Sequence, residues 1–156
     1  MSTPPRPLFI YGTLRALPLL AWAITGDESQ VDAISGMLRK GRVQGYKRCS
    51  VRHCDYPAAI KDDNCEIDGY LLLLETTSQR RKLDNFEGET YMVTPVAVSV
   101  ENHEGGETID ADMYVWNRDN DALSSEPWDL EWFIKERLED WLDLFRDMEL
   151  VDEEEE

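Results

Sequence analysis

Between Tyr91 and Glu101 the chain alternates around Val93, Val96, Val98 and Val100, reverses through Glu104-Gly105-Gly106-Glu107, and returns as Ile109–Trp116. Two such runs joined by a short Gly-containing connection predict an antiparallel hairpin with one apolar face. An isolated hairpin is barely stable in water, so this one commits the chain to a larger sheet with something packed on it. The other strands come from earlier in the sequence. Glu66–Glu75 contains the unbroken Tyr70–Leu74 stretch, which suggests a strand buried on both faces. Pro7–Leu14 begins as a strand and breaks at Gly12, and Val43–Val51 reads as an interrupted strand. Tyr56–Ile60 is a further extended piece, followed by the turn residues Asp62-Asp63-Asn64.

Helical periodicity fills the gaps. Leu19–Ile24 predicts a short helix stopped at Thr25-Gly26. Within Asp27–Lys40, Val31, Ile34, Met37 and Leu38 recur at helical spacing, although Gly36 weakens the pattern. Thr77–Phe86 predicts a helix with Ser78 as its cap and Leu83 and Phe86 on one side. Leu130, Ile134, Leu138, Trp141, Leu142, Phe145 and Met148 form the stripe of a long C-terminal helix that starts between Ser125 and Asp129. That stripe is expected to pack on the sheet. Trp128, Trp132 and Trp141 flank it and keep a partner interface as the alternative. No repeat or linker divides the chain. The order predicts an α+β fold: one domain over 1–151, built on a mainly antiparallel sheet or small β-barrel flanked by helices, then a disordered acidic tail over 152–156.

Charge narrows the function. Lys plus Arg number 16 against 33 Asp plus Glu, for a net −17. Five of the negative charges sit in Asp152–Glu156, which leaves −12 on Met1–Val151. A body this acidic repels phosphate, so neither a nucleic acid nor an anionic membrane is an expected partner. Met1–Pro7 is polar with no signal-length apolar stretch behind it, and the longest aliphatic run, Leu71–Leu74, is too short to span a bilayer. Cys49, Cys54 and Cys65 form no C-x-x-C pair, which points to free thiols and a cytoplasmic location. His53 and Cys54 would face opposite ways on a strand, and the only other histidine is His103, so no metal site is expected.

Two segments can carry chemistry. In Tyr11-Gly12-Thr13-Leu14 a glycine follows a strand, where successive backbone N–H groups can converge on a carboxylate without any lysine. Asp84-Asn85-Phe86-Glu87-Gly88-Glu89-Thr90-Tyr91 puts three carboxylates and a tyrosine between a helix and a strand. A carboxylate aimed into a cavity there gains basicity from burial and suits proton transfer. Taken singly, a strand-end turn and a solvated acidic loop account for them better.

Together the two segments resemble the γ-glutamylcyclotransferase-like family, in particular its plant and fungal avirulence-induced-gene-like and γ-glutamylamine cyclotransferase branch. Tyr-Gly-Thr-Leu stands on the first strand, and Phe-Glu-Gly-x-x-Tyr follows at Phe86–Tyr91. Between them Tyr56-Pro57-Ala58-Ala59-Ile60 resembles the family's Tyr-Pro strand, and Asp68-Gly69-Tyr70-Leu71-Leu72-Leu73 its Gly-containing core strand. The likeness runs from Leu8 to Trp116 in the family's order.

The resemblance implies a small antiparallel barrel with a pocket at its mouth. It further implies an enzyme that releases 5-oxoproline from γ-glutamyl compounds, a cofactor-independent acyltransferase or lyase acting on a small molecule. By that similarity Tyr11, Gly12, Thr13 and Leu14 bind the substrate α-carboxylate, Glu87 is the general acid and base, and Tyr91 lines the pocket. Asp84 and Glu89 are rival bases, and Tyr46 and Tyr70 are further pocket candidates. Two departures bear on substrate. Met92-Val93-Thr94-Pro95 follows the motif tyrosine where the family often carries a basic residue, and Asp27–Lys40 is longer than a minimal member needs. A non-catalytic module binding a small metabolite or a protein is the alternative, and a thiol enzyme using Cys54 with His53 is a more distant one.

Overall fold

The computed structural model describes residues 5–87, 91–102, 105–124, 126 and 128–146. Among the described residues there are six strands: β1 (Leu8–Ile10), β2 (Leu38–Val51), β3 (Pro57–Leu72), β4 (Tyr91–Asn102), β5 (Gly105–Trp116) and β6 (Leu123–Ser124). Five helices accompany them: α1 (Leu17–Thr25), α2 (Val31–Ser35), α3 (Thr77–Glu87), α4 (Leu130–Glu136) and α5 (Leu138–Arg146). The fold is α+β, as the order of elements predicts.

Two long hairpins, β2–β3 and β4–β5, build most of the sheet, and β1 is inserted between β3 and β5. β1 runs antiparallel to β3 and parallel to β5, while β2 runs antiparallel to β3, β4 and β6. The pairings therefore return to their starting strand, as in a barrel. Closure is slight, because β1–β5 rests on Leu8↔Asp112 and Phe9↔Met113, and β2–β4 on Gly41↔Val100 and Arg42↔Ser99. The barrel is not strictly closed.

Strand alternation divides the core in two. Phe9 and Tyr11 point into the barrel with Val43, Ile67, Leu71, Val98 and Met113. Leu8 and Ile10 point outward into the cluster built by α1, α3, α4 and α5, which includes Leu20, Leu83, Phe133 and Leu142. β1 is thus buried on both faces, which explains why Leu8-Phe9-Ile10 is apolar without alternation. Gly26, with φ 81°, stops α1 in the left-handed conformation that a side chain disfavours.

Several expectations need correction. Asp62-Asp63-Asn64 does not separate two strands but lies inside β3. The β2–β3 register jumps from Gln44↔Glu66 to Tyr46↔Lys61, so this stretch bulges out of the ladder opposite Gly45, and the Asn64 N–H bonds the Asp62 carboxylate at 3.0 Å. The turn chemistry is real, but it serves a bulge. Only Val31–Ser35 of Asp27–Lys40 is helical, because Leu38 already pairs with Leu72 in the sheet. The cap of α3 is Thr76 rather than Ser78: the Gln79 N–H bonds Thr76 Oγ1 at 3.1 Å, and Gln79 Oε1 accepts the Thr76 N–H at 3.2 Å, a reciprocal capping box. Gly105 and Gly106 belong to β5, paired with Asn102 and Glu101, and His103 and Glu104 lie outside the described residues.

The long terminal helix is two helices, broken at Arg137. Phe133, Leu138 and Leu142 are buried, whereas Ile134 of the expected stripe is 43% exposed. The break resets the helical phase, so a single periodic stripe misplaces the first half. The Phe145 side chain, Met148 and the acidic tail lie outside the described residues.

Candidate active site

Strand direction gathers the candidate residues. β1 ends at Ile10, β5 runs parallel to it and ends at Trp116, and β3 and β4 run the other way and begin at Pro57 and Tyr91. All four ends meet on one side of the barrel, and α3 delivers its last residue, Glu87, to the same place. The result is a small pocket lined by Tyr11, Gly12, Thr13, Leu14, Tyr56, Pro57, Glu87, Tyr91 and Tyr114, above Phe9 and Ile10. All six residues singled out from the sequence line it. Tyr56, Pro57 and Tyr114 were not among them. The Tyr-Pro pair at a strand start was a usable signal for the first two, and nothing in the sequence marks Tyr114.

The loop after β1 is a single 3-10 turn, Thr13–Arg15, closed by bonds from the Arg15 N–H to Gly12 O and from the Ala16 N–H to Thr13 O. Among the described residues no protein group accepts a hydrogen bond from the N–H groups of Gly12, Thr13 or Leu14. Gly12 has φ −123°, so no positive φ requires glycine there. Close approach does: a Cβ at Gly12 would lie 2.8 Å from Pro57 Cγ and 2.9 Å from Pro57 Cδ.

The hydroxyls around the pocket are mostly engaged. Tyr11 donates to Tyr114 O and accepts the Ala59 N–H at 3.1 Å, while Tyr91 donates to Pro57 O at 2.7 Å. Tyr91 therefore ties β4 to the start of β3 rather than offering its hydroxyl freely. Burial, then the nearby Glu87, pushes the Tyr11 and Tyr91 phenols well above their usual range, so both stay neutral.

Glu87 is half-buried as a residue, but its carboxyl end is enclosed by the pocket. Burial, seconded by repulsion from Asp84, pushes its pKa from 4.5 up to about 8. Asp84 is held elsewhere: its Oδ1 accepts from Tyr114 Oη at 2.6 Å and from Arg80 Nε at 3.0 Å. Arg80 in turn meets Asp112 at 2.9 Å, and Arg6 meets Asp112 at 3.0 Å. As a rival base Asp84 is occupied, and it fixes Tyr114 in the wall. Glu89 lies outside the described residues. Tyr70 lines a different groove, and Tyr46 packs at the barrel end under Lys61.

Tyr56 forms the outer wall, edge-on to Tyr91 on one side and to Trp141 of α5 on the other, with centroid separations of 6.3 and 6.4 Å. Asp55, just before it, accepts Arg137 Nε and Trp141 Nε1 at 2.9 Å each, and its carbonyl accepts Trp128 Nε1 at 2.7 Å. The terminal helices thus brace the pocket wall, a role their sequence does not announce.

The family model for gamma-glutamyl cyclotransferase, AIG2-like, matches residues 8–130, which spans every element that contributes to this pocket. The chain belongs to that family. It is 24% identical over 131 residues to AIG2-like protein B of Arabidopsis thaliana, covering 80% of this chain and 75% of that protein. A solution structure of another Arabidopsis thaliana protein matches with a TM-score of 0.62 at 17% identity, over 93% of this chain and 91% of that one. A solved gamma-glutamyl cyclotransferase matches with a TM-score of 0.51 at 13% identity, over 94% and 89%. These two structures establish the fold. Among the described residues no helix is long and apolar enough to cross a membrane, and no three His, Cys, Asp or Glu side chains are grouped to hold a metal ion.

Proposed function

We propose that this AIG2-like protein is a cofactor-independent γ-glutamyl cyclotransferase. The observation that carries the reading is a carboxyl with a pKa of about 8 enclosed in one pocket with three consecutive backbone amides that lack protein acceptors. Those amides suit the α-carboxylate of a γ-glutamyl group, an anion that this acidic chain would otherwise repel. Anchored there, the substrate presents its α-amine to its own γ-carbonyl, and five-membered ring closure gains from the fixed orientation. A C–N bond forms between the α-nitrogen and the γ-carbon, and the original γ-amide C–N bond breaks. Glu87 takes the proton that the attacking amine sheds and delivers it to the departing nitrogen, giving 5-oxoproline and a free amine with no net proton change.

The cavity is about 30 Å³, room for one or two water molecules. A γ-glutamyl group is larger, so binding requires the pocket to widen. The test is 5-oxoproline release from γ-glutamyl amines and γ-glutamyl dipeptides. Activity is expected with at least one of them, with kcat/KM rising as pH approaches about 8, where Glu87 becomes a carboxylate. Glu87→Gln keeps the shape and should lower turnover by at least ~10². No 5-oxoproline from any of them, with a protein that still melts cooperatively, refutes the reading in favour of a non-catalytic binding module.

A further inference from the structure

A larger cavity lies elsewhere. A groove of about 600 Å³ opens over the outer faces of β2, β3 and the β4–β5 hairpin, bounded at one end by Arg15. That volume is ordinary for a small-molecule site. Its acids are already matched to arginines: Glu66 to Arg42 at 3.4 Å, Glu107 to Arg39 at 3.6 Å, and Asp68 to Arg48 at 2.7 Å.

Two further cations line the groove, Lys40 and Arg15. Lys40 has no ion-pair or hydrogen-bond partner among the described residues. The guanidinium of Arg15 lies 5.9 Å from the Trp128 ring centroid, and its Nε is buried without a hydrogen-bond partner. Arg48, behind Asp68, also keeps a buried Nε with no partner. Burial, then repulsion from Arg48, lowers the Arg15 pKa to about 10. A protein of net −17 has abundant carboxylates for pairing, yet among the described residues Lys40 pairs with none, and Arg15 feels Asp68 only beyond ion-pair distance. An unsatisfied buried N–H is costly, and the Arg15 side chain lines the groove, so a ligand seated there can supply its guanidinium with an acceptor.

We infer that this groove is a second ligand site, for a small organic anion whose carboxylate or phosphate is taken by Arg15 and Lys40. The Ser99 and Thr108 side chains on the opposite wall offer hydroxyls for its remaining polar groups. The site is independent of the catalytic reading, since none of its residues belongs to the Glu87 pocket.

The test is calorimetric titration of the full chain at low ionic strength, with citrate in one arm and pyrophosphate in the other. Saturable binding at one site per chain is expected in at least one arm, and the tighter arm identifies carboxylate or phosphate as the native group. Arg15→Gln and Lys40→Gln should each weaken it about tenfold, the loss of one charge-assisted contact. Lys135→Gln, at an exposed position of α4, should leave it unchanged. Lys40 is exposed, so its variant tests the site even if Arg15→Gln does not fold. Absence of saturable binding in both arms overturns the inference. So does an equal loss in Lys135→Gln, which would mean attraction to charge in general.

Discussion

Glu87→Gln should separate the stability of this protein from its activity. A carboxyl whose pKa rises from 4.5 to about 8 on folding binds its proton more tightly in the native state. Between those two values the folded chain holds more protons at this site than the unfolded one. Stability from Glu87 is therefore complete below about pH 4.5 and is lost as pH rises through about 8. Each pKa unit is worth ~1.4 kcal/mol, which sets a ceiling of roughly 5 kcal/mol. Glu87 is half-buried, and solvent screening reduces the expectation to ~2–3 kcal/mol. Glutamine is neutral throughout. The variant should thus gain ~2–3 kcal/mol on the wild type between pH 5 and pH 9, read from urea unfolding of both proteins at each pH. Comparing the two cancels the pH response of the other 32 acidic residues and of the bases. Parallel pH profiles would mean that the Glu87 carboxyl is solvated with an ordinary pKa, and the case for it as a base near neutral pH would fall with them.

Gly12→Val places a branched side chain where even a Cβ lies 2.8 Å from Pro57, so it should cost about 1–3 kcal/mol and at least ~10-fold in kcat/KM. Thr13→Ser should be mild in both, because the proposed contact is made by backbone; a large activity loss there would assign the contact to the side chain instead. Truncation after Ser125 removes Phe133, Leu138 and Leu142, each worth about 1.5–3 kcal/mol of burial, and should give insoluble or molten protein. A soluble 1–125 fragment with a cooperative melt would show that the terminal helices are dispensable to the core.

Sequence patterns were informative where one physical cause acts alone. The β4–β5 hairpin shows because alternation on a half-buried sheet leaves a period of two, and α1 shows because Gly26 ends it. The residues of the proposed site were legible only through two short motifs, since neither Gly12 nor Glu87 carries a local signature of its role. What makes Glu87 unusual is the enclosure made by β1, β3, β4 and β5, which no window of sequence contains. Tyr114 was invisible for the same reason: it reads as one more strand aromatic until Asp84, thirty positions earlier, accepts its hydroxyl. The terminal helices were misread at Arg137, where bonding to Asp55 and Asp140 accompanies a break in a stripe that apolar spacing alone would continue.

Asp55 also gives the pocket a timetable. Its partners Trp128, Arg137 and Trp141 lie 73, 82 and 86 positions further along the chain. At a synthesis rate of about 5–20 residues per second, Trp141 is added roughly 4–17 s after Asp55. Through that interval β1 and the β2–β3 hairpin can pair, but Tyr56 has no Trp141 beside it and the Asp55 carboxylate lacks the Trp141 indole. The pocket wall at Tyr56 is thus braced by the last segment of the described fold to be made. A nascent chain stalled before α5 would carry every motif residue of the pocket without its outer support.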